Sequence, residues 1–379
     1  MIKLNENPIK KARIKVLGIG GGGSNAVKYM AERGIEDVEL IVANTDVQAL
    51  EKSPVSVKIQ LGKNLTKGQG AGGDPEIGKR ATEESLEEIK NLLKDADMIF
   101  LSAGLGGGTG SGGIPIIARL CKEEIGILTC AVITLPFLME GPQRQRKAIQ
   151  SLNELKNHVH SYIVIPNDRL LKNGNETLPF REAFRRVDEV LFQAVRGIVN
   201  VIQKPQYVNV DFADVRSVLK YGGKSVMGIG IGQGENRAKD AAREAIYSPL
   251  IDTEGIKNAK GVLLSITGGN DMTMREIQEI MNYIINETDS ESSEIITGID
   301  SCEEIDGKIE VTVIASGIPD TQERKEPAFY PFKDFNLRKL EENGDEEEPA
   351  FLRRKALSGK NELRNFSFIE KEKEEYEEI

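Results

Sequence analysis

Cysteine is scarce in this chain of 379 residues: Cys121, Cys130 and Cys302 are odd in number, unclustered and without a Cys-x-x-Cys pair. That pattern supports neither a disulfide framework nor a structural zinc site, and it suits a reducing compartment. No apolar run approaches the roughly 20 residues needed to cross a bilayer, and no apolar signal core follows the N-terminus. Direct membrane insertion is therefore not expected. A basic excess is missing too. Lys plus Arg number 50 against 60 Asp plus Glu, a net charge of −10 with no basic stripe, so nucleic acid is not an expected partner. Hydrophobic content, 39%, is somewhat low for a compact protein. The shortfall lies at the C-terminus, where residues 341–379 hold thirteen acidic and seven basic side chains.

The length exceeds one ordinary core and points to two domains. Through the first half, apolar strands near 13–19, 38–43, 97–103, 127–134 and 161–166 alternate with helical patterns near 24–33, 76–94, 112–123 and 143–158. This is the rhythm of a Rossmann-like parallel sheet wrapped by helices. Next, apolar residues at 184, 187, 191, 194, 195, 198 and 202 predict one long helix, roughly 35 Å at 1.5 Å per residue. After Pro205 the pattern restarts as a smaller α/β or α+β unit, with helices near 212–221, 235–247 and 273–287 and strands near 225–231, 261–267, 294–299 and 308–316. Periodicity then fades into a charged tail. The expected organisation is a flexible N-terminus (1–11), an α/β domain (12–179), a central helix (180–203), a second domain (204–317) and a disordered linker and tail (318–379).

Glycine is where the chemistry concentrates. Residues 104–113, Gly-Leu-Gly-Gly-Gly-Thr-Gly-Ser-Gly-Gly, lie between an apolar strand and a helix. Bare backbone in such a turn converges N–H groups on an anion, and the helix N-terminus adds a favourable dipole. A second cluster, Gly18-Ile-Gly20-Gly-Gly-Gly23-Ser-Asn-Ala, fits the Gly-x-Gly-x-x-Gly fingerprint. A nicotinamide enzyme is disfavoured, because the second strand ends Asn44-Thr45-Asp46, suited to phosphate or Mg²⁺ water instead of a ribose, and one dinucleotide site has no place for the other glycine cluster. A Walker loop is also missing: Gly223-Lys224-Ser225 has Val218 where the first glycine belongs and precedes a strand. A third glycine segment, 67–78, ends in Asp74-Pro75 at a helix start. Loops after successive parallel strands share one sheet edge, where these four would enclose a triphosphate.

Gly106-Gly-Gly-Thr-Gly-Ser-Gly112 resembles the tubulin signature, and residues 12 to 317 are similar to the tubulin/FtsZ family of cell-division GTPases. Supporting motifs are Asn44-Thr45-Asp46, Glu140-Gly141-Pro142, Ile165-Pro166-Asn167-Asp168, Asn209-Val-Asp211-Phe-Ala-Asp214-Val and Met227-Gly-Ile-Gly. The resemblance implies GTP/GDP binding with Mg²⁺, GTP-driven polymerisation into protofilaments and assembly of a cytoplasmic division ring at mid-cell. It places Gly20, Gly21, Gly22, Gly23, Ser24, Asn25, Gly72, Gly73, Gly106, Gly107, Gly108, Thr109 and Gly110 at the phosphates, and Glu140 and Arg144 at ribose and phosphates. Asn167, Phe184 and Asp188 would read guanine by amide hydrogen bonds, ring stacking and a carboxylate accepting the N1 and N2 protons. By spacing alone, Phe184 reads equally well as a core residue.

Asp211 and Asp214 share one helix face at i, i+3, where they would polarise a water, with Asn209 fixing the loop. The plain alternative is an N-cap opening the helix at 212–219. The family pattern favours the catalytic pair. If Phe184 and Asp188 touch guanine, the two acids lie beyond the far end of the long helix, roughly 30 Å away. A second subunit must then supply them, a head-to-tail contact that propagates as a filament. Asp46 is the expected outer-sphere partner of Mg²⁺. The rival reading is a nucleotide-binding filament scaffold with negligible hydrolysis. In the family a terminal peptide docks on membrane-tethering proteins, and residues 347–355, with Pro349, Phe351, Leu352 and the basic Arg353-Arg354-Lys355, resemble it. Here 24 residues follow, which is not the usual arrangement.

Overall fold

The computed structural model describes residues 11–171, 179–203, 206–248, 255–288 and 293–319. The expected N-terminal arm up to residue 10, and the linker, acidic tail and partner-binding peptide beyond 319, lie outside them.

Alternating elements build the first half in chain order: β1 (Ile14–Ile19), α1 (Gly20–Glu32), β2 (Val38–Asn44), α2 (Val47–Glu51), β3 (Val57–Gln60), α3 (Lys63–Thr66), α4 (Pro75–Glu84), α5 (Leu86–Leu93), β4 (Met98–Gly104), α6 (Thr109–Arg119), β5 (Leu128–Leu135), α7 (Pro142–Leu155) and β6 (Ser161–Pro166). There follow α8 (Phe180–Gln203), α9 (Phe212–Lys220), β7 (Lys224–Gln233), α10 (Arg237–Ile246), β8 (Gly261–Gly268), α11 (Met274–Thr288), β9 (Glu294–Ser301) and β10 (Lys308–Ile318). The ten strands form one sheet in the order β3-β2-β1-β4-β5-β6-β7-β10-β8-β9. From β3 through β6 every pairing is parallel. β7 joins at the registered pair Tyr162↔Lys224, and β10 then runs antiparallel to both β7 and β8.

β1 and β5 are buried at every position because helices cover both faces of the parallel part. Side-chain alternation divides that burial into two cores. Val16, Phe100, Val132 and Ile163 face the side on which Leu191, Val195 and Ile198 of α8 pack. Leu17, Leu101 and Ile133 face Ile114 and Ile117 of α6 and Leu155 of α7. A third core joins β8 and β10 to α10 and α11 through Leu264, Val311, Ala242 and Ile280.

Two expected helices differ in detail. The segment at 76–94 is two helices, because Ser85 leaves helical geometry (φ −102°, ψ 5°) and its Oγ accepts the Gly62 N–H at 3.1 Å. The segment at 112–123 starts earlier, at Thr109, and closes in a wide π turn over Leu120–Ile125. α2, β3 and α3 carry no periodic signal in the sequence; each is five residues or fewer, too short for a period to register.

Candidate functional site

Register carries the site. Ile19 pairs with both Ala43 and Ala103, Gly104 with Thr134 and Leu135 with Pro166, so β1, β2, β4, β5 and β6 end level and their outgoing loops share one edge. Three helices open there without a side-chain cap: α1 after Ile19, α6 after Gly108 and α7 after Gly141. By contrast, Asp46 and Asp74 cap α2 and α4 with their own carboxylates. First-turn N–H groups have no intrahelical acceptor, so uncapped starts beside one another form an anion site. A cleft of about 420 Å³ lies there, lined by Gly73, Gly106, Gly107, Glu140, Gly141, Pro142, Gln143, Arg144 and Lys147.

The loops around the cleft are braced against each other. Gly20, at φ +70°, starts α1 so close to α6 that a Cβ would lie 2.7 Å from the Gly110 nitrogen. Thr45 Oγ1 and Thr109 Oγ1 share a buried hydrogen bond of 2.7 Å, tying the end of β2 to the start of α6. Ser111 Oγ accepts the Gly106 N–H (2.8 Å), and Asn44 Oδ1 accepts the Asp46 N–H (3.3 Å). The glycines named from sequence divide here. Gly21, Gly72, Gly73 and Gly107 face open space, whereas Gly23 abuts the Ser102 carbonyl and Gly108 abuts Ala71 and Asp74. Ser24 is buried with its Oγ unpartnered among the described residues, while Gly22 and Asn25 are exposed.

Beyond the glycine loops, Glu140 Oε1 accepts the Phe137 N–H at 2.9 Å, and the second carboxylate oxygen pairs with Arg144. Asp168, present in the sequence motif but given no role there, accepts the Leu138 N–H through both oxygens at 3.1 and 3.2 Å and so anchors the turn carrying Glu140. Its neighbour Asn167 is buried, and Asn167 Oδ1 lacks a partner among the described residues. Phe184 meets Phe137 edge to face, ring centroids 5.2 Å apart, and is itself only partly buried. One turn on, burial pushes the Asp188 carboxyl up to about 7; Glu32 on α1 adds to the rise and Lys28 opposes it. A carboxyl raised above its unfolded value contributes stability at low pH and loses it as pH climbs through about 7. Charging Asp188 is therefore unfavourable until N–H donors meet it.

Asp211, Asp214 and Asn209 are elsewhere. α8 has 24 residues, about 36 Å at 1.5 Å per residue, and Phe184 and Asp188 sit near its start while the acids follow its end. α9 then delivers the chain to β7, which begins level with the start of β6, at the opposite edge from the cleft. Asp211 and Asp214 form a reciprocal capping box: Asp211 Oδ1 accepts the Asp214 N–H (2.8 Å), and Asp214 Oδ2 accepts the Asp211 N–H (3.0 Å). Asn209 Oδ1 accepts the Gln206 N–H at 3.4 Å. One oxygen of each acid is left outside the box.

Asp46 uses Oδ1 to cap α2, accepting from Gln48 (2.9 Å) and Ala49 (3.4 Å). No cluster of three His, Cys, Asp or Glu side chains able to hold a metal occurs among the described residues. That donor set fits Mg²⁺ held by phosphate oxygens and water with a single carboxylate nearby, and does not fit an all-protein cage. No described helix is long and apolar enough to cross a membrane.

Parallel sheet, converging uncapped helices and glycine cleft define a nucleotide-binding protein of the Rossmann-like class. The Tubulin/FtsZ family, GTPase domain, matches residues 13–175, and the FtsZ family, C-terminal domain, matches residues 223–319. Cell division protein FtsZ of Buchnera aphidicola is 46% identical over 317 residues, 84% of this chain and 81% of that protein. Cell division protein FtsZ of Rickettsia conorii is 45% identical, covering 84% of this chain and 70% of that protein. Among solved structures, an empty FtsZ dimer of M. jannaschii superposes with a TM-score of 0.74 at 42% identity, over 81% of this chain and 89% of that one. CetZ2 of Haloferax volcanii, at 22% identity and TM-score 0.69, shares the fold over 81% of this chain and 94% of its own. The chain belongs to the tubulin/FtsZ family and is a cytoskeletal GTPase of cell division.

Proposed function

We propose that GTP lies along the cleft with its phosphates on the uncapped starts of α1, α6 and α7 and its guanine between Asn167, Phe184 and Asp188. The open faces of Gly21, Gly72, Gly73 and Gly107 leave room for phosphate oxygens against bare backbone. Glu140 and Arg144 flank the ribose. Asn167 Oδ1 and the Asp188 carboxyl supply acceptors that the protein itself leaves unmet or unfavourably charged. Guanine offers two adjacent N–H donors to Asp188, and adenine lacks them. Bound Mg²⁺ would neutralise charge on the β and γ oxygens, with Asp46 Oδ2 as its outer-sphere acceptor.

Hydrolysis is completed between subunits. The observation that carries this is the placement of Asp211 and Asp214 at the sheet edge opposite the cleft, which no side-chain motion within one chain bridges. Apolar surface supports a contact at both poles. Leu138 and Met139, 67% and 69% exposed, stand beside Glu140; Tyr207 and Val208, 90% and 44% exposed, stand beside Asn209. Stacking one pole on the next buries both pairs and brings the free oxygens of Asp211 and Asp214 to a water on the neighbour's γ-phosphate, where a carboxylate acts as general base. Each contact is heterologous, so the assembly grows as a filament. Such filaments would work in the cytoplasm at mid-cell, tethered through the peptide at 347–355.

Specific GTPase activity is expected to be near zero in dilute protein and to rise above a threshold concentration. Phosphate release measured across a dilution series checks this, and constant specific activity would rule out completion in trans. GTP affinity is expected to fall as pH drops below about 7 and Asp188 takes up a proton. Glu32→Gln removes a raising charge and moves that midpoint down. Equilibrium binding between about pH 6 and pH 8 reads both effects. The capping box favours a second reading, in which the two acids only cap α9 and the filament scarcely hydrolyses; turnover of Asp214→Asn separates the two.

A further inference from the structure

We infer that Lys147 is a further nucleotide contact, a cation that binds the terminal phosphate of a nucleoside triphosphate and distinguishes it from a diphosphate. This rests on reading the cleft as the GTP site. Two cations line the cleft, Arg144 and Lys147, one turn apart on α7. They are not equivalent. The Arg144 guanidinium is already committed to the Glu140 carboxylate. Lys147 has no carboxylate within ion-pair distance among the described residues; its Nζ reaches across the cleft mouth to the Gly73 carbonyl at 2.7 Å.

A neutral carbonyl is a weak partner for an ammonium group, which carries three N–H donors. Lys147 is thus an uncompensated positive charge held over bare glycine backbone. Gly73 lies just before Asp74, the cap of α4, and its own surroundings are open. α4 in turn packs on the start of α6, where Gly78 meets the Gly108 carbonyl. Lys147 therefore stands where the Gly73 loop, the start of α6 and the start of α7 meet. A phosphate there receives the helix-start N–H groups from one side and the ammonium from the other. A charge-assisted hydrogen bond to phosphate replaces the bond to Gly73. A diphosphate, one group shorter, leaves Lys147 on the carbonyl. The sequence held a signal for it, a second cation three residues after Arg144 on the same helix face, but nothing in that spacing separates it from a solvated charge.

The test is equilibrium binding of GTP and GDP to the full chain carrying Lys147→Gln or Lys147→Arg, with the thermal midpoint of each nucleotide-free protein as a folding control. Lys147→Gln is expected to weaken GTP by about tenfold or more while leaving GDP nearly unchanged. Lys147→Arg, which keeps the charge, is expected to recover most of the loss. Equal weakening of GTP and GDP would show a strap between α7 and the Gly73 loop and nothing more, and unchanged GTP affinity would eliminate the contact outright; either result overturns the inference. If the unsubstituted chain itself fails to bind guanine nucleotide, the reading of the cleft fails first, a result distinct from both.

Discussion

Asp214→Asn is expected to leave GTP binding and polymer formation intact while cutting phosphate release by about 10²-fold or more, the range associated with loss of a general base. The choice of Asn matters. Asp214 Oδ2 accepts the Asp211 N–H in the capping box, and an amide oxygen can make the same bond, so α9 keeps its start while the charge disappears. Ala would remove both, and losing the bond from the third helical position back to the Asp211 N–H would confuse the result. Light scattering reports polymer and a phosphate assay reports turnover in the same sample. Unchanged turnover would establish the acids as caps and interface contacts only. Mixing sharpens the result: Asn167→Ala spoils the nucleotide end, Asp214→Asn the activating end, and a filament of both contains contacts that pair an intact cleft with an intact acid. Activity should reappear on mixing. A site completed within one chain gives no recovery.

Two glycines of one signature are expected to fail in opposite ways. A Cβ at Gly112 would lie 2.0 Å from the Pro75 carbonyl oxygen and 2.5 Å from the Lys79 nitrogen. Both are backbone atoms of α4, so no side chain can turn aside; α4 and α6 must separate, and Gly112→Ala should destabilise the empty protein by about 1–3 kcal/mol or more. At Gly107 a Cβ would meet no atom within 4 Å, and φ is not in the left-handed region. Gly107→Ala should therefore leave the unfolding midpoint unchanged while weakening GTP about tenfold, because the added methyl stands where phosphate approaches backbone. Thermal unfolding without nucleotide and GTP binding, measured on both variants, form a two-by-two test. A stability loss at Gly107, or none at Gly112, would contradict the division of the signature into packing and binding glycines.

Much of this arrangement was legible along the chain because it is written in local terms. Long apolar strands separated by helices of 10 to 24 residues carry a strong period, and the central helix, with its apolar stripe from 184 to 202, was recognisable end to end. The glycine segments were legible because bare backbone between strand and helix serves few purposes other than close approach. What stayed hidden depended on partners distant in sequence. The break at Ser85 is set by the Gly62 N–H, 23 residues earlier. Asp168 acts on Leu138, 30 residues back, and Lys147 on Gly73, 74 residues back.

By itself the sequence determined the class of fold, the glycine loops between strand and helix and the paired acids at the start of α9, since strand period, turn glycines and helix caps are properties of neighbouring residues. Only the tertiary structure decided which glycines pack and which face open space, that Asp188 sits where burial and Glu32 resist its charge, and that Asp211 and Asp214 stand at the edge opposite the cleft. Those outcomes follow from strand register and helix packing, which bring together residues whose separation along the chain carries no record of the contact.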